Sequence, residues 1–472
     1  MALRVPTLSE FARLFRETPA KAGVRSFDGA TGGRRGWGVG TAGPINPEVG
    51  AAGERLRARA RYLAQNNPWI SNAVANWVSS LSGAGIMANS AHPDAGTRAR
   101  LDAEFMQWAD DADADGRTDW FGLQSAICRA VIIDGESFVQ KIQTREGFRL
   151  RIIPAEQCDW SLTRDGLASG GYIVNGVEFD ADGQRVAYHI HPARPTALYP
   201  TYEPPVRIDA ADICHVFKPL APGQVRGVSW LAPVILQAGE FDQLCDALLV
   251  GAKVAAMHAG FVVDQNATGA VSLDGTPGDL SEASLEPGVI RLLPAGTDIK
   301  FSTPAQTHEV AAFLRLNLQS LAAGLGIPEH MLSGDLSNAN YSSLRAGLLP
   351  FRARVEQIQY GILVPQLLRP VWQRVIGVGV LSGTLEAPDY ETARRDYEAV
   401  EWIMPRPMQV DPSKDVQATQ DMLDAGLMSR RQAVAEQGWN IETLDAEIAA
   451  DKAREAELGL TFGKAKESSN GN

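Results

Sequence analysis

Apolar positions in the last third of the chain recur with a helical period. Leu344, Leu348, Phe351, Val355, Ile358 and Ile362 are spaced 4, 3, 4, 3 and 4, and Pro350 and Pro365 interrupt the run. This pattern predicts one long kinked helix over 342–378. A second amphipathic helix is expected over 303–326, with Thr303 as N-cap, Pro304 at the first helical position and Gln306 closing a capping box. The polar stretch GIPEHMLSGDLSNANYSS joins the two, with a loop expected over 327–341. Upstream, Val234, Ala238, Phe241, Cys245, Leu248, Ala252 and Ala255 repeat at alternating spacings of four and three. A helix over 229–259 follows, a rod roughly 45 Å long. Between the rods, 260–302 reads as a small β-rich tip with FVVD, PGVIRLLP and DIKF as strands.

Near the start, Ser26–Pro47 is Gly-rich and has no hydrophobic period, so 1–50 is expected to be a flexible basic arm. Helices are predicted over Glu54–Gln65, Ile70–Leu81, Thr97–Ala109 and Leu123–Asp134. From Glu136 to Ile213 the pattern changes to short alternating runs separated by Gly, Asp-Gly and Pro turns, a mainly antiparallel β region. Residues 51–228 therefore read as helices plus antiparallel strands. In 379–460, short helices are expected over Ser413–Ala425, Ser429–Gln437 and Asn440–Leu458, with a capping box between Ser429 and Gln432 and stops at Gly426 and Gly438. Residues 461–472 read as a disordered tail. The fold class is α+β, dominated by helices.

Composition narrows this picture. The 472 residues are 45% hydrophobic, enough for a substantial core and about three domains. A net charge of −12 argues against a surface that grips nucleic acid everywhere. The charge is uneven, with eleven Lys/Arg against five Asp/Glu in 1–61, and ten against eighteen in 383–472. The two ends thus either meet different neighbours or form a basic arm and an acidic solvated surface. Cys128, Cys158, Cys214 and Cys245 have no paired spacing, which favours a reducing compartment. MALRVPTLSEFARLF has no apolar run followed by a small-residue cleavage site, and the most hydrophobic stretch, Ala247–Val263, contains Lys253 and His258, so neither export nor a membrane span is expected.

Candidate chemistry is sparse. Asp111, Asp113, Asp115 and Gly116 match the start of a calcium loop, and Asp119 fills its ninth position. Gly122 nevertheless stands where a bidentate Glu should close the coordination sphere, so a solvated acidic turn is expected. Gly38, Gly40 and Gly43 satisfy a GxGxxG pattern, but glycine-rich coil precedes it and Pro44 follows, so no dinucleotide cradle is expected. His189, His191 and His215 could meet as metal ligands, but strand histidines with ordinary partners are the stronger reading. No nucleophile elbow, Walker lysine loop or HExxH motif is present. The chain reads first as an assembly component; the alternative is a metal- or calcium-dependent enzyme using the Asp-rich turn or the histidines.

Several segments, taken in order, resemble the lambda-type family of tailed-bacteriophage portal proteins across roughly Ala52–Leu458. They are NNPWISNAVANWVSSLSGAGI, DWFGLQSAICRAVIIDGESFV, FKPLAPGQVRGVSWLAPVI, LAAGLGIPEHMLSGDLSNANYSSLRAGLLPF and QVDPSKDVQATQDMLDAGLMSRRQAVAEQGWNIETLDAE. The resemblance implies a dodecameric ring at one capsid vertex through which double-stranded DNA is packaged and ejected. It implies no catalysis, cofactor or metal. Its partners would be the terminase large subunit, head-completion or connector proteins, and major capsid and scaffold proteins. The ring would assemble in the bacterial cytoplasm and reside in the virion.

By order, 51–228 would be the wing, 229–259 and 303–326 the stem, 260–302 the clip, 327–341 the tunnel loop and 379–460 the crown side. Leu336, Ser337, Asn338, Ala339 and Asn340 would offer the duplex small, neutral contacts. Arg345 and Arg352 would either guide it or pair with carboxylates of a neighbouring subunit. The stem seam of Phe241, Leu248, Phe313, Leu314 and Leu318 would join subunits head to tail or pack inside one. A twelve-membered ring cannot match roughly 10.5 base pairs per turn, so its subunits would not all lock onto phosphates together.

Overall fold

The computed structural model describes residues 43–145, 147–192, 203–256, 260–263, 290–293, 307–337, 341–405 and 412–460. Expectations for Thr303, Pro304, Gln306, the DIKF strand and the tail fall outside them. Two helices open the fold, α1 (Ile45–Asn66) and α2 (Pro68–Leu81). Asn67 breaks the chain between them: its extended backbone ends α1, and its side chain accepts the Ile70 N–H at 3.0 Å, capping α2. Helix α1 begins at Ile45, which corrects the expected flexible arm over 45–50. Val49 and Ala52 are buried there, and a Cβ on Gly53 would lie 2.8 Å from the Trp160 ring. The glycines that disguise the helix thus permit its close packing.

Strand β1 (Met87–Ser90) precedes α3 (Ala95–Asp110) and α4 (Trp120–Asp134). The expected β region forms two sheets. In the first, β2 (Glu136–Thr144) lies between β3 (Gly147–Ile153) and β8 (Ile213–Phe217), antiparallel to both. In the second, β4 (Tyr172–Val174), β5 (Val177–Phe179), β6 (Arg185–Ile190) and β7 (Val206–Asp209) pair antiparallel in sequence order. The three-stranded sheet separates two cores. Phe138, Ile153 and Ile213 face a smaller core shared with Val177, Tyr188 and Ile190 of the second sheet, while Val139, Leu150, Cys214 and Val216 face the larger helical core. The alternation of side chains along a strand makes this division possible.

Helix α5 (Ile235–Ala256) starts later than the expected Ser229, because Ser229–Val234 turns instead and the Ser229 hydroxyl accepts the Leu231 N–H at 3.2 Å. Its 22 residues make a rod of about 33 Å. Strands β9 (Gly260–Val263) and β10 (Ile290–Leu293) pair in parallel at the expected tip. Helix α6 (Thr307–Leu325) follows, and the stretch expected to be all loop contains a short helix, α7 (Glu329–Ser333).

The long helix runs from Tyr341 to Ser382, past the expected end at 378. It comprises α8 (Tyr341–Ile358), a π-helical stretch (Gln359–Leu368) and α9 (Arg369–Ser382). The π stretch contains Pro365, and the Arg369 N–H reaches back five residues to the Val364 carbonyl. Val371, Trp372, Val375 and Ile376 of α9 sit in the main core. After α10 (Tyr390–Glu398), an unexpected strand, β11 (Val400–Ile403), pairs antiparallel with β1, from Met87↔Ile403 to Ser90↔Val400. Three expected helices close the fold: α11 (Pro412–Asp424), α12 (Arg430–Glu436) and α13 (Ile441–Leu458). Ser429 and Gln432 form the predicted capping box.

Candidate functional site

The start of α5 and the end of α6 are anchored in the main core. At the base, Ile235, Ala238 and Phe241 of α5 and Leu321, Ala322 and Leu325 of α6 join the main core. Phe241 packs against Trp69 at a ring separation of 4.8 Å, so this seam residue faces inward. Leu314 and Leu318 are partly buried against the core, and Leu248 is half-buried. Leu249, Val250, Phe313 and Leu316 are each more than half exposed. The seam therefore divides into a core-facing base and an outer part with apolar side chains in solvent.

The segment after α6 is tied to α2 by side chains of the NNPWISNAVANW stretch. Asn72 donates to the Met331 and Leu332 carbonyls at 2.8 and 2.9 Å, Asn76 to Met331 at 2.6 Å, and Trp77 to the Leu325 carbonyl at 3.1 Å. Arg354 of α8 hydrogen-bonds the Gly326 carbonyl. Beyond α7 the chain turns at Gly334, and Asp335 accepts the Ser337 N–H at 2.9 Å. Hydrogen bonds from Ser337 hold that carboxyl below its ordinary range. Leu336 and Ser337 are exposed, while Asn338, Ala339 and Asn340 lie outside the described residues. Arg345 is exposed and stands 4.0 Å from Asp415 of its own chain; Arg352 is half-buried.

The candidate metal sites resolve into structural contacts. Asp113 accepts N–H groups from Asp115, Arg117 and Thr118, Asp115 pairs with Arg151 at 3.0 Å, and Asp119 caps α4 through the Gly122 N–H. The histidines each meet a different carboxylate: His189 meets Glu178, His191 meets Asp159, and His215 meets Glu136. Among the described residues no group of three or more His, Cys, Asp or Glu side chains could hold a metal ion. No described helix is long and apolar enough to cross a membrane.

One cluster escaped the sequence reading. Glu136, at the start of β2, is fully buried and takes Arg226 in a two-pronged contact, with distances of 2.6 and 3.0 Å. It also accepts the Gly227 N–H at 2.9 Å and meets His215 Nε2 at 3.0 Å. Arg226 reaches the Asn175 and Ala155 carbonyls at 2.7 and 3.1 Å and lies 3.8 Å over the Trp160 ring. Burial alone would raise the Glu136 pKa, but Arg226 and His215 hold it at about 2. Burial drives His215 down to about 4 against the opposing pull of Glu136. Nε2 of the resulting neutral imidazole donates to Glu136.

Two glycines let the backbones meet beside this pair. A Cβ on Gly135 would lie 2.3 Å from the Val228 carbonyl carbon, and one on Gly227 would lie 2.2 Å from the Gly135 oxygen. The DGES and VRGV motifs are thus the two halves of a clamp joining the start of β2 to the segment that leads into α5. Its signal was a Glu at the end of an apolar helix and an Arg within an apolar segment, but only the fold brings them together.

A helical body bearing a helix pair with exposed apolar side chains has the features of an assembly component. The model of the lambda family of phage portal proteins matches residues 31–359. A probable portal protein of Halomonas phage phiHAP-1 is 26% identical over 394 residues, covering 79% of this chain and 74% of that protein. Portal protein B of Escherichia phage lambda is 24% identical over 276 residues, covering 53% and 52%. Among solved structures, the virion of a native gene transfer agent particle contains a chain similar at a TM-score of 0.40 and 15% identity, over 86% of this chain and 93% of that one. The chain belongs to the lambda family of phage portal proteins.

Proposed function

We propose that twelve copies of this chain form a ring-shaped channel for double-stranded DNA at one capsid vertex, used in packaging, head–tail joining and ejection. The part is structural and without catalysis. The observation that carries this reading is the outer stem: in a portal-family chain, Leu249, Val250, Phe313 and Leu316 stand in solvent on two adjacent rods. Covering each by a neighbouring copy contributes roughly 1 kcal/mol or more, and repetition of one such contact closes a ring. The β9–β10 tip is the clip, which receives the terminase large subunit and then head-completion proteins. Capsid and scaffold proteins surround the wing. The segment 334–340 and Arg345 face the channel, with the ring resident in the virion after assembly in the host cytoplasm.

Electron micrographs of the purified protein test this. Rings with a central hole are expected, and Leu316→Ser should shift them toward smaller species. Particles without a hole at every salt concentration would sink the proposal. Shortening 335–340 should alter the length of DNA packaged; unchanged packaging would remove the loop from the channel.

A further inference from the structure

We infer that α11, α12 and α13 form a releasable module, docked on the body by partly exposed arginine–carboxylate pairs and therefore governed by ionic strength. The inference is independent of the channel reading. No residue of 412–460 belongs to either hydrophobic core. Helix α13 buries none of its residues, and α12 buries only Ala433. Val416, Leu427, Trp439 and Leu458 stay exposed. Hydrophobic burial, the dominant holding force elsewhere in the chain, is thus confined here to Ala433 and to a shallow cleft that Ala435, Trp439 and Ile441 line with Ile403.

Charge takes its place. Arg98 of α3 meets Glu442 at 2.8 Å, where α13 begins. Arg431 reaches Glu401 of β11 at 3.6 Å and Glu442 at 3.2 Å, so Glu442 is shared between body and module. Arg345 of α8 lies 4.0 Å from Asp415 of α11. Within the module, Arg430 and Asp445 bind α12 to α13 at 2.6 Å. A module that comes away can therefore keep its own α12–α13 pairing. Exposed pairs of this kind contribute about 0–1 kcal/mol each, and salt screens them within a Debye length of about 10 Å at 0.1 M. The docked state is thus only marginally favoured and weakens as salt rises.

Hydrogen exchange on the full-length protein tests the inference. Amides of Ile441–Leu458 should exchange about five- to tenfold faster at roughly 0.5 M than at roughly 50 mM salt, while those of Val371–Ile376 stay unchanged. Arg98→Gln lies on the body and leaves α13 intact; it should give the fast rate already at low salt. Arg98→Lys, which keeps a cation beside Glu442, should retain slow, salt-sensitive exchange. Rates in α13 that ignore both salt and Arg98→Gln would overturn the inference, as would fast exchange at low salt in Arg98→Lys.

Discussion

The same chemistry, an arginine facing a carboxylate, appears twice with opposite physical consequences. Around Glu136 and Arg226 both partners are fully buried, and every hydrogen bond between them is made away from water. Between α3 and α13, Arg98 and Glu442 meet at nearly the same distance but within reach of water, their side chains 19% and 44% exposed. Distance alone therefore says little about the strength of a contact. Removing one buried partner strands a charge where water cannot reach it, whereas removing one exposed partner returns the other to solvent.

The largest expected effect comes from breaking the buried pair asymmetrically. Arg226→Ala should lower unfolding free energy by about 3–5 kcal/mol in a denaturant titration. The double change Glu136→Gln with Arg226→Met should lose much less, since no charge is left behind. A loss below about 1 kcal/mol for the single change would erase the contrast between the regions.

Acid supplies the next effect. His215 has its pKa lowered from 6.5 to about 4, so its contribution is complete above 6.5 and is lost as pH falls from 6.5 to 4. Glu136 is lowered from 4.5 to about 2, and its contribution disappears between those values. Denaturant midpoints should thus fall in two overlapping steps, the first on the order of 3 kcal/mol. His215→Gln should remove that first step.

Smaller still, Asn67→Ala removes the α2 cap and should lower stability by about 1 kcal/mol, read from the thermal midpoint. Smallest of all, Arg430→Gln should change global stability by less than about 0.5 kcal/mol. A large loss there would mean that the C-terminal helices are coupled to the core after all.

Elements with local signals were legible in the sequence. The Asn67–Pro68 break, the periodic face of α2 and the Ser429 capping box are each written within a short stretch of sequence, and short-range chemistry specifies them. The start of α1 was hidden because Gly50 and Gly53 dilute its pattern, although Trp160 requires that closeness. Pro365 signalled an interruption, but its form as a π stretch depends on packing that periodicity does not encode. The β1–β11 pairing joins residues more than three hundred positions apart and leaves no mark in either strand alone. For the site, the segments 72–77 and 325–332 were each conspicuous as motifs, but their hydrogen bonds to one another were invisible until folded.

The β1–β11 ladder and the core-filling α9 both lie partly or wholly beyond residue 359, where the match to the family model stops. A fragment cut at that boundary would keep the whole stretch that the family model matches yet lack Trp372, Val375 and Ile376, and would leave Met87–Ser90 without its partner strand. The smallest piece able to stand alone is therefore longer than the stretch matched by the family model, and a truncation meant to isolate this protein's minimal body should extend at least through Ile403.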